Sequence, residues 1–204
     1  MYQSYPSWVT AFHGCDQYVF EKVLYSHTCL TISNNDYDWL GHGIYFWENN
    51  PLRAYEFALE QKTRGKISKP AVIGAMINLG NCLDLTDKFS MSLLKKTYSF
   101  FMESIKDQKL AAPKNIGVAD DPLKPLRKLD CAVVQYLHEY NKKKKHQPYD
   151  SVRGAFCEGQ PLYPGAGFTD KCHIQLCIIN PDCIKGFFAP RIDVKSQYEA
   201  TLAH

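Results

Sequence analysis

His13-Gly14, the tyrosines Tyr45 and Tyr55, and the strand-like run around His173 and Gln175 are the residues of this chain whose types and spacing can do chemistry. A histidine ahead of a glycine can aim a ring nitrogen into a cleft, and the glycine leaves its own N–H and C=O open to a ligand. Gly41-His42-Gly43-Ile44-Tyr45-Phe46-Trp47 joins two glycines to a burst of strand-forming aromatics, a mixture that neither a plain strand nor a plain turn requires. Tyr55 follows on a helix, so its ring and that of Tyr45 can sandwich a planar heterocycle, at about 1 kcal/mol per good stack. In Lys171-Cys172-His173-Ile174-Gln175-Leu176-Cys177-Ile178, alternation puts His173, Gln175 and Cys177 on one face and the aliphatic residues on the other. Polar side chains on an otherwise apolar strand need partners or a cleft. Taken singly, His13-Gly14 reads better as a core histidine beside a turn glycine, and ordinary helix-on-sheet packing would produce the same tyrosine pattern.

Two further stretches have simpler readings beside the chemical one. Ser151-Val152-Arg153-Gly154 leads into the Gly- and Pro-rich segment Glu158 to Gly167, which reads as a substrate-facing lid or as a surface connection. Lys142-Lys143-Lys144-Lys145-His146 reads as a solvated helix end, where lysines suit the dipole, rather than as a phosphate site.

The elements that must position these residues follow from periodicity. Trp8 to His13 reads as a strand ending at Gly14, and Asp16 as the cap of a helix from Gln17 to Ser26 carrying Val19, Phe20, Val23 and Leu24 at helical spacing. Ser33 to Asp38 is a loop of turn formers. A strand at Gly43 to Trp47 precedes a helix from about Pro51 to Lys62, with Pro in its first turn. Ala71 to Leu79 is a buried strand by composition. Phe89 to Lys106 and Leu126 to Lys142 carry helix-period apolar residues, separated by a connector with Pro113, Asp120, Asp121, Pro122 and Pro125. Sheet character returns at Ser151 to Phe156, Cys172 to Ile179 and Cys183 to Phe188. The expectation is one α+β domain over residues 1–204, with a sheet split around a helical insertion at about 85–147.

Bulk properties narrow the function classes. Hydrophobic content of 45% and charged content of 22% are ordinary for a globular protein, and the net charge of +3 is too weak to argue for nucleic acid. No apolar run approaches transmembrane length, and the first residues lack a basic-then-apolar leader pattern. The eight cysteines form no C-x-x-C pair, and Cys172, Cys177 and Cys183 with His173 fit no common zinc spacing. Reduced, buried thiols in a cytoplasmic protein that binds no metal are the expected state.

Taken in order, His13-Gly14, Gly43-Ile44-Tyr45-Phe46, Ala54-Tyr55, Ser151-Val152-Arg153-Gly154 and the polar residues of Cys172 to Ile178 resemble the NAD-binding core of the ADP-ribosyltransferase superfamily. The similarity is to the diphtheria-toxin and poly(ADP-ribose) polymerase branch, whose signature is His, Tyr and usually Glu on three core strands. The resemblance implies a split, mainly antiparallel sheet with flanking helices. It implies that NAD is the co-substrate, that His13 bonds the adenosine ribose, and that the Gly14 backbone holds the nicotinamide carboxamide beside Gly43. It implies that Tyr45 and Tyr55 flank the nicotinamide ring. The implied chemistry is rupture of the nicotinamide–ribose bond through an oxocarbenium-like transition state, with ADP-ribose passing to a nucleophile.

The third signature position departs from the family. The matching strand offers Gln175 or His173, depending on a two-residue register, and Gln175 is preferred because its amide can bond a ribose hydroxyl without burying a charge. Glutamine cannot act as a general base, which points to single transfer rather than chain elongation. Glu158 is the alternative source of a carboxylate, from the loop. Leu52-Arg53 stand where the family has a serine before the second tyrosine. The expected function is therefore a mono-ADP-ribosyltransferase acting on a macromolecular acceptor, a protein ahead of a nucleic acid, without a membrane partner. Its alternative is a module of the same fold that holds NAD or ADP-ribose without turnover. An RNA-directed phosphotransferase relative draws little support from the weak positive charge.

Overall fold

The computed structural model describes residues 8–117 and 126–203. The connector positions Asp120, Asp121, Pro122 and Pro125 lie outside the described residues.

Strand β1 runs Trp8–Asp16. It does not stop at Gly14 as the sequence suggests, because that glycine serves a close approach and not a turn. A Cβ there would lie 2.0 Å from the Ala54 carbonyl oxygen, so the helix above rests directly on the strand. Asp16 then caps α1 (Gln17–Tyr25): Oδ1 accepts from the Tyr18 N–H at 2.9 Å, while Oδ2 accepts from the Ser68 N–H at 2.6 Å. One carboxylate thus fixes a helix start and the entry to a distant strand.

Strand β2 (Ile44–Glu48) is followed by α2 (Pro51–Thr63), with Pro51 in the first turn and the Asn50 side chain accepting from the Arg53 N–H. Then come β3 (Pro70–Asn78), a three-residue β4 (Cys82–Asp84) and α3 (Lys88–Asp107). The pair β5 (Asn115–Ile116) and β6 (Leu126–Arg127) forms a short ribbon ahead of α4 (Lys128–Lys143). The chain closes with β7 (Ser151–Pro161), β8 (Thr169–Ile178), β9 (Ile184–Phe188) and α5 (Val194–Thr201). Most of the Gly- and Pro-rich segment's first half is therefore strand, since β7 runs on through Glu158 to Pro161.

Among the described residues the main sheet has seven strands in the order β4-β7-β8-β2-β1-β3-β9. All neighbours are antiparallel except β4 and β7. The fold is α+β, built on a mainly antiparallel sheet. None of the helices among the described residues is long and apolar enough to cross a membrane.

Strand alternation divides the side chains between the two faces. One face carries Ala11, Ile44, Phe46, Ile73, Ile77, Leu176 and Ile178 into a core that Val19, Phe20 and Val23 of α1 help to cover. The other face is shared by two clusters. Phe12, Trp47 and Val72 pack with Ala54 and Tyr55 of α2 and Val194 of α5. Val152 and Cys177 pack with Leu83, Leu40 and, from α4, Val134 and Leu137. Polar residues of the second face at the junction of these clusters are the ones that need an explanation.

Candidate functional site

The expected site residues fall on neighbouring strands. His13 is on β1, Tyr45 on β2, and His173 with Gln175 on β8, and these strands lie side by side in the order β8, β2, β1. The β1–β2 ladder holds two residue pairs, Ala11 with Glu48 and Phe12 with Trp47. At the next step a side chain takes over: His13 Nδ1 donates to the Tyr45 carbonyl at 2.7 Å. A carbonyl can only accept, so the proton sits on Nδ1 and the lone pair on Nε2. Burial keeps this imidazole neutral by pushing its pKa down. His13 also meets the Phe46 ring edge-on at 5.7 Å.

Tyr45 points to the other face of the sheet. Its hydroxyl donates to the Gly41 carbonyl at 2.6 Å and accepts from the Leu40 N–H at 2.9 Å. Gly41 adopts φ +82°, a left-handed conformation that suits glycine, and this turn brings its carbonyl to the phenol. Burial raises the Tyr45 pKa far above its ordinary value. Tyr55 packs in the separate cluster of Phe12, Val72 and Val194, edge-on to Tyr198 at 5.6 Å. Gly43 abuts β8, where a Cβ would meet Cys177 Sγ at 2.5 Å. The two tyrosines thus have different neighbours, and Gly14 faces the Ala54 carbonyl.

On β8 the structure brings together more than the sequence suggests. Gln175 is paired with Trp47 of β2 and Gly154 of β7, and His173 is paired with Phe156. His173 Nδ1 donates to the Lys171 carbonyl at 2.8 Å, leaving Nε2 as a bare acceptor. Nε2 lies 3.6 Å from Glu158 Oε1. Burial pulls the His173 pKa down to about 4 and raises that of Glu158 above the usual carboxylate range. Glu158 is therefore a half-buried carboxylate on a strand, aimed at a neutral imidazole, and it is not the loop residue the composition implied.

Around this pair sit residues that the sequence reading did not single out for a site. Arg53 is 7% exposed and reaches Glu158 at 3.5 Å, Glu56 at 3.3 Å and Glu60 at 3.4 Å. Lys171 bridges the same Glu56 and Glu60 at 3.1 Å each. Trp47 stands between the Arg53 guanidinium (5.8 Å) and the His173 ring (6.4 Å). Phe156 lies 5.9 Å from His173 and 4.8 Å from Trp39, and the Arg127 guanidinium sits over Trp39 at 4.0 Å. Trp47 Nε1, Arg53 Nε, Arg127 Nε and His173 Nε2 are buried and have no hydrogen-bond partner among the described residues. Buried polar atoms are normally paired, so these four, all but closed to solvent, leave hydrogen-bonding capacity unused along one chain of contacts, as His138 Nε2 does on α4. The sequence places Arg53 two residues before Tyr55, but only the fold shows that it meets Glu158.

A second buried charge network lies on the opposite face. Arg153 donates to both oxygens of Glu48 at 2.7 and 3.1 Å, to Asp84 at 3.1 Å and to Thr86 at 3.1 Å. It ties β2, β7 and β4 together across β8, and its fully engaged guanidinium has a structural role. Among the described residues no group of three or more His, Cys, Asp or Glu side chains gathers to hold a metal. The expectation that the thiols are buried holds for Cys15, Cys131, Cys177 and Cys183. It fails for Cys29, exposed outside the helices and strands, and for Cys157 and Cys172, exposed on β7 and β8 where the face they occupy is open at that end of the sheet.

No family model and no solved structure matches the chain. The chain is similar to an uncharacterised protein of Methanocaldococcus jannaschii, with 27% identity over 198 residues that span 87% of this chain and 85% of that protein.

Proposed function

We propose that the chain is an NAD-dependent mono-ADP-ribosyltransferase of the ADP-ribosyltransferase fold type, acting on a macromolecular acceptor. The observation that carries this reading is that His13, Tyr45 and the polar residues of β8 fall on three neighbouring strands, in the order the sequence resemblance implies, with His13 facing one side of the sheet and the others facing the opposite side. Around the pair of Glu158 and His173, the half-buried Phe156 ring offers apolar surface to a planar group and the half-buried Glu158 offers a carboxylate to a ribose, which suits NAD as a ligand.

In this reading NAD supplies the labile nicotinamide–ribose bond. The chain's own residues hold charge and protons around it. His13 lies on the opposite face of the sheet and acts by joining β1 to β2 through its bond to the Tyr45 carbonyl. The Glu158 carboxylate opposes positive charge that develops on the ribose, and Arg53 keeps it oriented. His173, neutral through the physiological range, sets its bare Nε2 toward Glu158 and adds no charge of its own there. Gln175 remains the donor and acceptor for a ribose hydroxyl. Glu158 thus supplies from β7 the carboxylate that β8 lacks.

A binding module that holds NAD or ADP-ribose without turnover is the second reading. It draws on the close packing of Gly14 under Ala54 and on the Tyr45 hydroxyl being fully bonded inside the protein. Incubation with NAD labelled on the adenine side separates the two. Free nicotinamide together with label on an acceptor supports the transferase, whereas NAD binding with no nicotinamide release supports the module.

A further inference from the structure

We propose that Cys157 and Cys172 form a redox-modifiable thiol pair, closed to an intramolecular disulfide by a small-molecule disulfide, on the sheet face opposite Glu158 and His173. Cys157 of β7 and Cys172 of β8 are directly opposite each other in the antiparallel register. Opposite residues on such strands have Cα atoms about 4.5–5.5 Å apart, inside the range of about 4.4–6.8 Å that a disulfide spans. The two sulfurs are in contact at 2.6 Å, and both residues are exposed, so an oxidant can reach them. The Thr169 hydroxyl lies 3.2 Å from Cys172 Sγ.

The Thr169 hydroxyl can donate to a Cys172 thiolate, which marks that sulfur as the attacking one and Cys157 as the resolving one. The buried cysteines are held as thiols by desolvation, with Cys15 pushed to about 12 and Cys131 to about 11. The Cys172 thiolate attacks one sulfur of the reagent disulfide and expels a thiolate, giving a mixed disulfide. Cys157, losing its proton, then attacks the Cys172 sulfur and releases the second thiol. Two protein thiols are oxidised and one reagent disulfide is reduced to two thiols.

The pair lies back to back with the candidate site. Cys157 precedes Glu158 and Cys172 precedes His173, so each sulfur is one residue from one member of the carboxylate–imidazole pair. A disulfide draws its Cβ atoms to about 3.8 Å, against about 4.5–5.5 Å for an uncrosslinked opposite pair. Closing it shifts the two strands where Glu158 and His173 face each other. This effect on the site rests on the proposed function, whereas the thiol chemistry does not.

The test uses the full chain in a Cys29→Ser background, which removes the exposed lone thiol, with 4,4′-dithiodipyridine as the oxidant. We expect two thiopyridones released per chain, no retained adduct, and a crosslinked Cys157–Cys172 peptide on non-reducing mapping. Adding Cys157→Ser should leave a single mixed adduct on Cys172. Nicotinamide release should change at least threefold on oxidation and return with dithiothreitol, and Cys157→Ser should abolish that response. Retained adducts on both cysteines with no crosslink overturn the pair. A crosslink that leaves the rate of an active protein unchanged overturns its effect on the site. A crosslink in a protein that releases no nicotinamide when reduced refutes the transferase reading and leaves the thiol pair standing.

Discussion

His13 Nδ1 donates to the backbone carbonyl of Tyr45 at 2.7 Å, so a side chain continues the bond between β1 and β2 where their two-pair ladder ends. This bond sets the imidazole tautomer and holds together the two strands that carry His13 and Tyr45. We expect His13→Ala to cost about 1–3 kcal/mol, the cost of leaving a partly buried carbonyl unpaired, measured by urea unfolding. The same variant should lose most nicotinamide release, while Lys143→Ala on the exposed helix end keeps both properties.

Arg153 is the hub of a charge network on the sheet face away from Glu158 and His173. Asp84 is 1% exposed, and Arg153 is its partner across the strands at 3.1 Å. Removing one partner of a buried ion pair costs about 3–5 kcal/mol, because the remaining charge is stranded. Arg153→Met should destabilise the fold by roughly that amount, and Arg153→Lys should recover little because it cannot reproduce the two-pronged bond to Glu48. Chemical denaturation of the three proteins checks this; a loss under about 1 kcal/mol for Arg153→Met would contradict it.

Gly14 has no room for a side chain. A methyl group would sit 2.0 Å from the Ala54 carbonyl oxygen, and backbone in α2 cannot yield without shifting the whole helix. Gly14→Ala should therefore lower the thermal midpoint sharply, with a loss of at least about 2 kcal/mol. Gly167→Ala, where a Cβ meets nothing within 4 Å, is the matched control and should be near neutral.

One buried and two half-buried imidazoles set the acid limb of stability. Burial lowers the pKa of His13, and brings those of His138 and His173 to about 4. The unfolded chain takes up these protons near pH 6.5 while the native chain resists them. Stability is therefore full above about pH 6.5 and falls as pH drops toward 4, by on the order of 1–3 kcal/mol for each of the latter two. Glu158 has the opposite sign, since its raised pKa lets the native state bind a proton first, and it offsets part of the loss. The caps Asp16 and Asp193, whose pKa values are lowered, act only below this window. Unfolding midpoints at pH 7.5, 6 and 4.5 should fall steadily, and His173→Gln should flatten the curve. A flat wild-type profile would refute the assignment.

Much of the scaffold is legible in the sequence because local signals and tertiary packing agree there. Asp16 and Pro51 mark helix starts, and the alternation of His173, Gln175 and Cys177 against Ile174 and Leu176 gives the two faces of β8 correctly. Other elements carry no periodic signal. β4 is three residues long and gains its place from a parallel pairing with β7, and α5 buries little beyond Val194. Gly14 reads as a strand end because glycine marks both turns and close helix contacts, and only the position of Ala54 tells them apart. The site was half visible for a related reason. Periodicity places polar residues on a face, but the meeting of Arg53 with Glu158, 105 residues apart, and of Trp47 with His173 depends on the strand order.

The most direct measurement compares nicotinamide release and NAD binding for the wild-type chain and for Glu158→Gln, which keeps the shape and removes the charge. We expect the wild-type protein to release nicotinamide, and Glu158→Gln to bind NAD within about threefold of wild type while releasing it at least about 100-fold more slowly, a loss of roughly 3 kcal/mol of transition-state stabilisation. Equal release by both proteins, or NAD binding without release by either, would contradict a transferase driven from Glu158.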